Sequence, residues 1–260
     1  MSVLRIAMLH LKPALGALAR NAALVADGVK QAAAMGATFV VTPELCLTGY
    51  DFTPSIGADW IAAPEDDSHI AQFRALAARL GINLFLAHAE RDCETGKCHN
   101  TLFTIGDDGA ILGKHRKIVT LPGAEGWSTR GDAAAPIAVK GVSVGLLICA
   151  DAYYPRAADS HAAAGAEILI SSANWAPKPH GPEGSWERRS QETGLPIFVC
   201  NRTGMDRSLD FTPAETTIAH RGHRLLAYQA SHSSLVLVDW DRERKSMARH
   251  SIVALESASP

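Results

Sequence analysis

Gly141-Val-Ser-Val-Gly-Leu-Leu-Ile-Cys-Ala-Asp-Ala-Tyr-Tyr-Pro155 is the stretch from which the fold is read. Residues 142–148 form a short run rich in β-branched residues and leucine, the length and composition of a strand covered on both faces. The run stops at Cys149; small Ala150 and acidic Asp151 follow, and Pro155 suits the first turn of a helix. A thiol at the carboxyl end of a buried strand, just before a helix, stands where open α/β sheets place their ligands. Position alone does not separate a nucleophile from an inert core cysteine.

Upstream, residues 3–9 read as a strand and residues 18–35 as an alanine- and leucine-rich helix stopped by Gly36. Residues 38–42 read as a second strand, ended by Pro43, so the chain begins with a right-handed β-α-β unit. Glu44 then occupies the same kind of strand-end position as Cys149. Residues 67–80 predict a helix capped by Asp66, Asp67 or Ser68, and residues 82–88 a strand. A hairpin is expected around residues 100–112. The charge-dense segment 113–127 is expected to be an irregular loop over the sheet edge. Downstream of Cys149, residues 156–164 and 183–193 read as helices, and residues 167–172 and 197–200 as strands. Short strands fill 216–238, and a polar, peripheral tail is expected after 240. The two halves look alike, which predicts an α/β fold of two sheets packed face to face with helices outside, in one domain over residues 1–260.

Composition narrows the function classes. With 25 basic and 27 acidic residues, and no block of either sign, nothing marks a nucleic-acid or anionic-membrane surface. The first ten residues lack a signal-peptide pattern, and no apolar stretch approaches the roughly 18 residues needed to cross a bilayer. Five cysteines, an odd number, point to reduced thiols and a cytoplasmic location. Cys93, Cys98 and His99 fit no common zinc spacing and read as a hairpin loop, so no metal and no cofactor is expected.

Glu44, Lys117 and Cys149 form a complete set for acyl transfer. A thiol with an ordinary pKa of about 8.5 needs a base or a cation to become a nucleophile at neutral pH. A carboxylate in a dry pocket is raised toward the range useful for a base. A lysine ammonium, aided by a backbone N–H, can hold the charge of a tetrahedral intermediate. Each residue alone has a plainer account as a solvated or core side chain, and spacing does not show that they meet.

Three segments resemble, in order, the motifs of the nitrilase superfamily of carbon–nitrogen hydrolases. They are Pro43-Glu44-Leu-x-Leu-Thr-Gly-Tyr50, Arg116-Lys117-Ile-x-x-Leu-Pro-Gly and Gly145-Leu-Leu-Ile-Cys149-Ala-Asp-x-x-x-Pro155. Asn174-Trp175, Arg189-Ser-Gln-Glu192 and Asn201-Arg202-x-Gly204 extend the resemblance over residues 3–240. It implies a four-layer α-β-β-α sandwich, usually dimerised through the helix after the cysteine strand. It implies Glu44 as base, Cys149 as nucleophile, and Lys117 with the N–H of Ala150 as oxyanion stabilisers. Glu125 resembles a second glutamate that many members place beside the triad; a solvated loop carboxylate is its alternative. Departures are Thr193, where members carry asparagine, and Ala214-Glu-Thr-Thr-Ile218, where a Gly-x-Ser-x-Ile pattern is common.

True nitrilases of the superfamily tend to carry Trp-Glu after the cysteine. Ala150-Asp151 resembles the amidase branches instead, so hydrolysis of a small linear amide is expected, with an N-carbamoyl compound as the close alternative. Tyr50, Trp127, Tyr153 or Tyr154, and Trp175 are the expected pocket residues. A non-catalytic binding protein, a Cys-His peptidase and an acyltransferase are the competing classes. The expected partners are the small-molecule substrate and a second copy of the chain.

Overall fold

The computed structural model describes residues 2–132, 135–177 and 181–255. β1 (Val3–His10), α1 (Leu18–Ala34) and β2 (Phe39–Val41) form the opening unit. The one-turn helix α2 (Thr53–Ile56) and α3 (Ser68–Leu80) lead to β3 (Asn83–Arg91), β4 (Cys98–Ile105) and β5 (Ile111–Arg116). The second half carries β6 (Ile137–Val139), β7 (Val142–Ile148), a 3₁₀ turn (Cys149–Tyr153), α4 (Pro155–Ala163) and β8 (Ile168–Ser172). It continues through α5 (Ser185–Thr193), β9 (Ile197–Cys200) and the small hairpin β10 (Met205–Asp206)–β11 (Leu209–Asp210). β12 (Thr216–His220), β13 (His223–Tyr228), β14 (Ser234–Asp241) and β15 (Ser246–Ala254) complete it. Among the described residues no helix is long and apolar enough to cross a membrane.

One sheet has the order β15-β14-β1-β2-β3-β4-β5 and the other β13-β12-β9-β8-β7-β6. The centres, β1-β2-β3 and β7-β8-β9, are parallel. Most of their residues are apolar because both faces are covered, though β3 also buries His88 and Glu90. On β1, Ile6 and Met8 face the second sheet while Ala7 and Leu9 pack under α1 and α3. α4 and α5 cover the far side of the second sheet, giving the four-layer α-β-β-α sandwich.

The two sheets are pinned where their parallel strands end. Ser172 Oγ donates to Thr42 O at 2.7 Å, and Cys200 Sγ lies 3.2 Å from Val41 O. In register, Ile148 is opposite Ser172, which is opposite Cys200. The residues just beyond β2, β7 and β8 are therefore driven to one place. Those residues include Glu44, Cys149 and Asn174.

Gly145 of β7 faces α4. A Cβ there would lie 2.5 Å from Leu169 Cδ2 and 2.7 Å from His161 Cγ, so only glycine lets the helix approach. Overpacking of this kind costs about 1–3 kcal/mol. Gly145→Ala is expected to lower the urea midpoint accordingly; an unchanged midpoint would show that α4 can move away freely.

Two expectations need correction. The polar segment after 240 is not a peripheral tail but includes β15, paired along the whole of β14. Its polarity belongs to an exposed edge strand, with Arg249 Nη2 3.1 Å from Asp239. The charged run 113–127 is not all loop, because β5 extends through Arg116. Lys114 and Arg116 both reach the buried carboxylate of Glu90 on β3, while His115, on the opposite face, reaches Asp151. Charge pairing takes the place of apolar alternation there.

Candidate active site

Glu44 lies in the loop after β2 and is fully buried. Its Oε1 accepts from Lys117 Nζ and from Asn100 Nδ2, each at 2.7 Å. Its Oε2 accepts from the Asn174 N–H at 2.9 Å, and its carbonyl from Asn174 Nδ2 at 2.8 Å. Gly49 makes the following turn at φ 78°, where an added Cβ would lie 2.9 Å from Asp206 Oδ2. The turn brings the Tyr50 N–H to that same carboxylate, which the buried Arg202 guanidinium holds at 2.6 Å. This is the structural use of the Asn201-Arg202 pair. Asn201 holds the Trp175 backbone from both sides, and Arg202 fixes Asp206 under the Tyr50 loop.

Lys117 follows β5 directly. Its Nζ donates to Glu44 Oε1 and to Glu125 Oε1, both at 2.7 Å, and lies 5.7 Å from the Tyr50 ring centroid. Glu125 is buried too; its second oxygen accepts from the Leu121 N–H at 2.8 Å, and Asn100 Nδ2 donates to its first at 2.9 Å. One ammonium and one amide are thus shared by two carboxylates in a dry site.

Cys149 opens the 3₁₀ turn with φ 49°, a left-handed backbone that a non-glycine residue adopts only when its surroundings impose it. Its Sγ is buried, 3.8 Å from Asn174 O. Ala150, next in the turn, is buried as well. Asp151 stabilises this elbow. Its Oδ1 accepts from the N–H groups of Ile118 and Val119, and its Oδ2 from the Ile148 N–H and from His115 Nε2 at 2.8 Å. One buried carboxylate therefore ties the segment after Lys117 to the strand end before Cys149.

Charge states follow from this packing. Burial, joined by Glu125, pushes the Glu44 carboxyl above its ordinary range against the pull of Lys117. Burial disfavours the Lys117 ammonium, but Glu44, Cys149 and Glu125 outweigh it and hold the lysine charged well above its usual range. Burial, and then Glu44, push the Cys149 thiol well up despite Lys117. The resting sulfur is a thiol beside a carboxyl of raised pKa.

The expected pocket residues divide. Tyr50 and Tyr153, with Leu121, Ala124 and Leu209, line a cavity of about 960 Å³. Trp127 is not among its lining residues; its ring packs edge-on against Phe52 at 5.0 Å, in the apolar cluster beneath the loops. Trp175 is not among them either; it packs edge-to-face with Tyr153 at 4.6 Å and Trp186 at 5.1 Å. These indoles, like Glu44, Lys117 and Cys149, lie outside the lining of that cavity. Asn100 escaped the sequence reading altogether. Asn174 and Asp151 had been quoted only as parts of motifs.

Comparison with known proteins agrees with this architecture. The carbon–nitrogen hydrolase family matches residues 5–244. A citrullinase from Francisella tularensis subsp. tularensis is 31% identical over 211 residues, 75% of this chain and 72% of that protein. A nitrilase from Pyrococcus abyssi is 28% identical, covering 80% of this chain and 79% of the other. A variant of the amidase from Nesterenkonia sp. AN1, with the acetamide moiety of fluoroacetamide added at its active-site cysteine, superposes with a TM-score of 0.81. It is 22% identical over 92% of this chain and 91% of that one. With nearly the whole chain matched, this protein belongs to the carbon–nitrogen hydrolase family.

Proposed function

We propose that the protein hydrolyses the C–N bond of a small linear amide through a thioester on Cys149. The observation that carries this reading is Lys117 Nζ held 2.7 Å from both Glu44 and Glu125, beside a cysteine kept at positive φ. As the substrate carbonyl enters, Glu44 accepts the thiol proton and Sγ bonds to the carbonyl carbon. The resulting oxyanion is held by Lys117 and the Ala150 N–H. Glu44 returns the proton to the leaving nitrogen, the C–N bond breaks, and ammonia or an amine departs. Water then gives a proton to Glu44 and attacks the thioester; the acid is released and the thiol is restored. Glu125, anchored by the Leu121 N–H, fixes the lysine rather than the substrate. Tyr50 and Tyr153 bound the acyl group in the cavity.

The test is a screen of simple amides, ω-amides and N-carbamoyl amino acids for ammonia release, with Cys149→Ala as the control. Turnover of at least one amide by the parent, with loss of about 10⁴-fold or more in the variant, is expected for removal of a nucleophile. Iodoacetamide should label Cys149 faster than Cys93, which is exposed; no amide turnover together with slow labelling of Cys149 would sink the reading in favour of a binding protein. The likeness to a citrullinase favours N-carbamoyl hydrolysis as the second reading, reached by the same steps on a ureido carbonyl. The enzyme acts in the cytoplasm as a homodimer; light scattering near 27.7 kDa, the mass of one chain, would contradict the assembly.

A further inference from the structure

A second cluster of ligating side chains lies away from the cysteine, where α3 begins over β3. Asp67 caps α3, its Oδ1 accepting from the N–H groups of His69 and Ile70 at 2.8 and 3.1 Å. Its Oδ2 lies 3.2 Å from Nε2 of His88, a fully buried residue of β3, and Oδ1 lies 3.6 Å from Nδ1 of His69. One ligand atom from each of the three residues falls within 4.8 Å of the others. Two imidazoles and a carboxylate are a donor set suited to zinc and its first-row neighbours. Tetrahedral ligands at about 2.1 Å from zinc stand about 3.4 Å apart. The separations of 3.2 Å and 3.6 Å, made to the two oxygens of Asp67, lie on either side of that edge, and the His69 side chain is a quarter exposed.

The surroundings fit a cation. Asp67 is buried, and each of its oxygens lies within 3.6 Å of an imidazole nitrogen. The Trp60 ring lies 5.7 Å from the His88 ring, tilted by 37°. His69 faces partly outward, which leaves an approach and room for a solvent ligand.

We propose that Asp67, His69 and His88 bind one divalent first-row metal ion of the zinc class, with solvent completing a tetrahedron. The ion is a clamp between α3 and β3 and takes no part in the reaction at Cys149. Trp60 supplies a local reporter. It meets Phe52 edge-on at 5.6 Å, and Phe52 meets Trp127 edge-on at 5.0 Å, so a paramagnetic ion at His88 lies next to a chain of aromatic rings that includes two indoles.

Co²⁺ is the probe, added to metal-free protein carrying Cys93→Ser and Cys149→Ala, so that neither the exposed nor the active-site thiol competes. The expected result is binding of one ion per chain, quenching of indole fluorescence, and visible d–d bands without a thiolate charge-transfer band. Asp67→Asn keeps a helix-capping oxygen while removing the charge, and His69→Ala alters a partly exposed position. Each should weaken binding at least about ten-fold with little change in thermal midpoint. Zn²⁺ should displace the Co²⁺ and raise the midpoint of the parent but not of either variant. No binding up to millimolar Co²⁺, or equal affinity in all three proteins, would overturn the proposal and leave Asp67–His88 as a hydrogen-bonded helix cap.

Discussion

Lys117→Met is expected to lower kcat/KM for the amide substrate by about 10³-fold or more. Loss of a single preorganised oxyanion donor costs about 10²–10³-fold in known cases, and here the same nitrogen also organises the base. Methionine matches the lysine stem in volume, so the fully buried site keeps its packing while losing its only positive charge among the described residues. Glu44 and Glu125 then face each other across Asn100 Nδ2, which reaches them at 2.7 and 2.9 Å, with neutral hydrogen-bond donors but no cation to offset their charges.

The second consequence is a pH signature. In the parent, Lys117 pulls the already raised Glu44 carboxyl downward; without it, burial and Glu125 act unopposed and Glu44 rises further. A carboxyl raised on folding contributes stability that is full below its unfolded value, about 4.3, and is lost as pH climbs through the folded one. The urea stability of Lys117→Met should therefore fall short of the parent least near pH 5 and progressively more toward pH 8. Residual activity, if measurable, should show its acid limb displaced to higher pH, because Glu44 must be ionised to accept the thiol proton. A loss of activity under ten-fold, or a stability gap independent of pH between 5 and 8, would remove Lys117 from the proposed role.

Glu44 and Cys149 were readable as candidates because both stand just past strand ends, where a sheet's own pattern stops, whereas Lys117 was read inside a charged loop and singled out by its motif. The approach of Glu44 to Cys149 followed from the parallel pairs, since Thr42, Ile148 and Ser172 end side by side, while Lys117 arrives from the antiparallel edge strand β5. Asn100 was not readable. It comes to the site because β4 runs antiparallel to β3 and sets Asn100 opposite Ala89, a pairing that no local signal around the hairpin announces. β5 hid among charges for a related reason: its alternation is between Lys114 and Arg116, paired with Glu90, and His115, paired with Asp151. β15 was mistaken for a tail because an edge strand needs only backbone pairing and can spend its side chains on solvent. Trp127 and Trp175 pack edge-on against Phe52 and against Tyr153 and Trp186, since large rings behind a loop fill volume as readily as they touch a ligand.

Asp151→Ala should be the most destabilising single change away from the three reacting groups. The carboxylate accepts from Ile118, Val119 and Ile148 backbone N–H groups and from His115, all within 3.0 Å. Each buried donor stripped of its acceptor costs about 1–3 kcal/mol, so a total of about 4–6 kcal/mol is expected after partial relaxation. That is comparable with the entire stability of an ordinary domain. Asp151→Asn offers a graded control. Its remaining oxygen can keep Ile118 and Val119, while the amide nitrogen meets the Ile148 N–H donor to donor, for a loss of about 1–3 kcal/mol. Acid should erase the difference between parent and variants. Burial opposes ionisation of Asp151, but His115 and the backbone N–H groups hold its carboxyl below the ordinary 3.8. A carboxyl depressed on folding contributes stability above its unfolded value and loses it as pH falls through the folded one. The parent's advantage should thus be full at pH 7 and shrink below about pH 4. Because the same side chain ties the segment after Lys117 to the strand end before Cys149, Asp151→Asn, assayed well below its midpoint, should lose kcat while KM changes little. Urea titrations that place Asp151→Ala within 1 kcal/mol of the parent would mean that the elbow at Cys149 is held by its neighbours and not by this carboxylate.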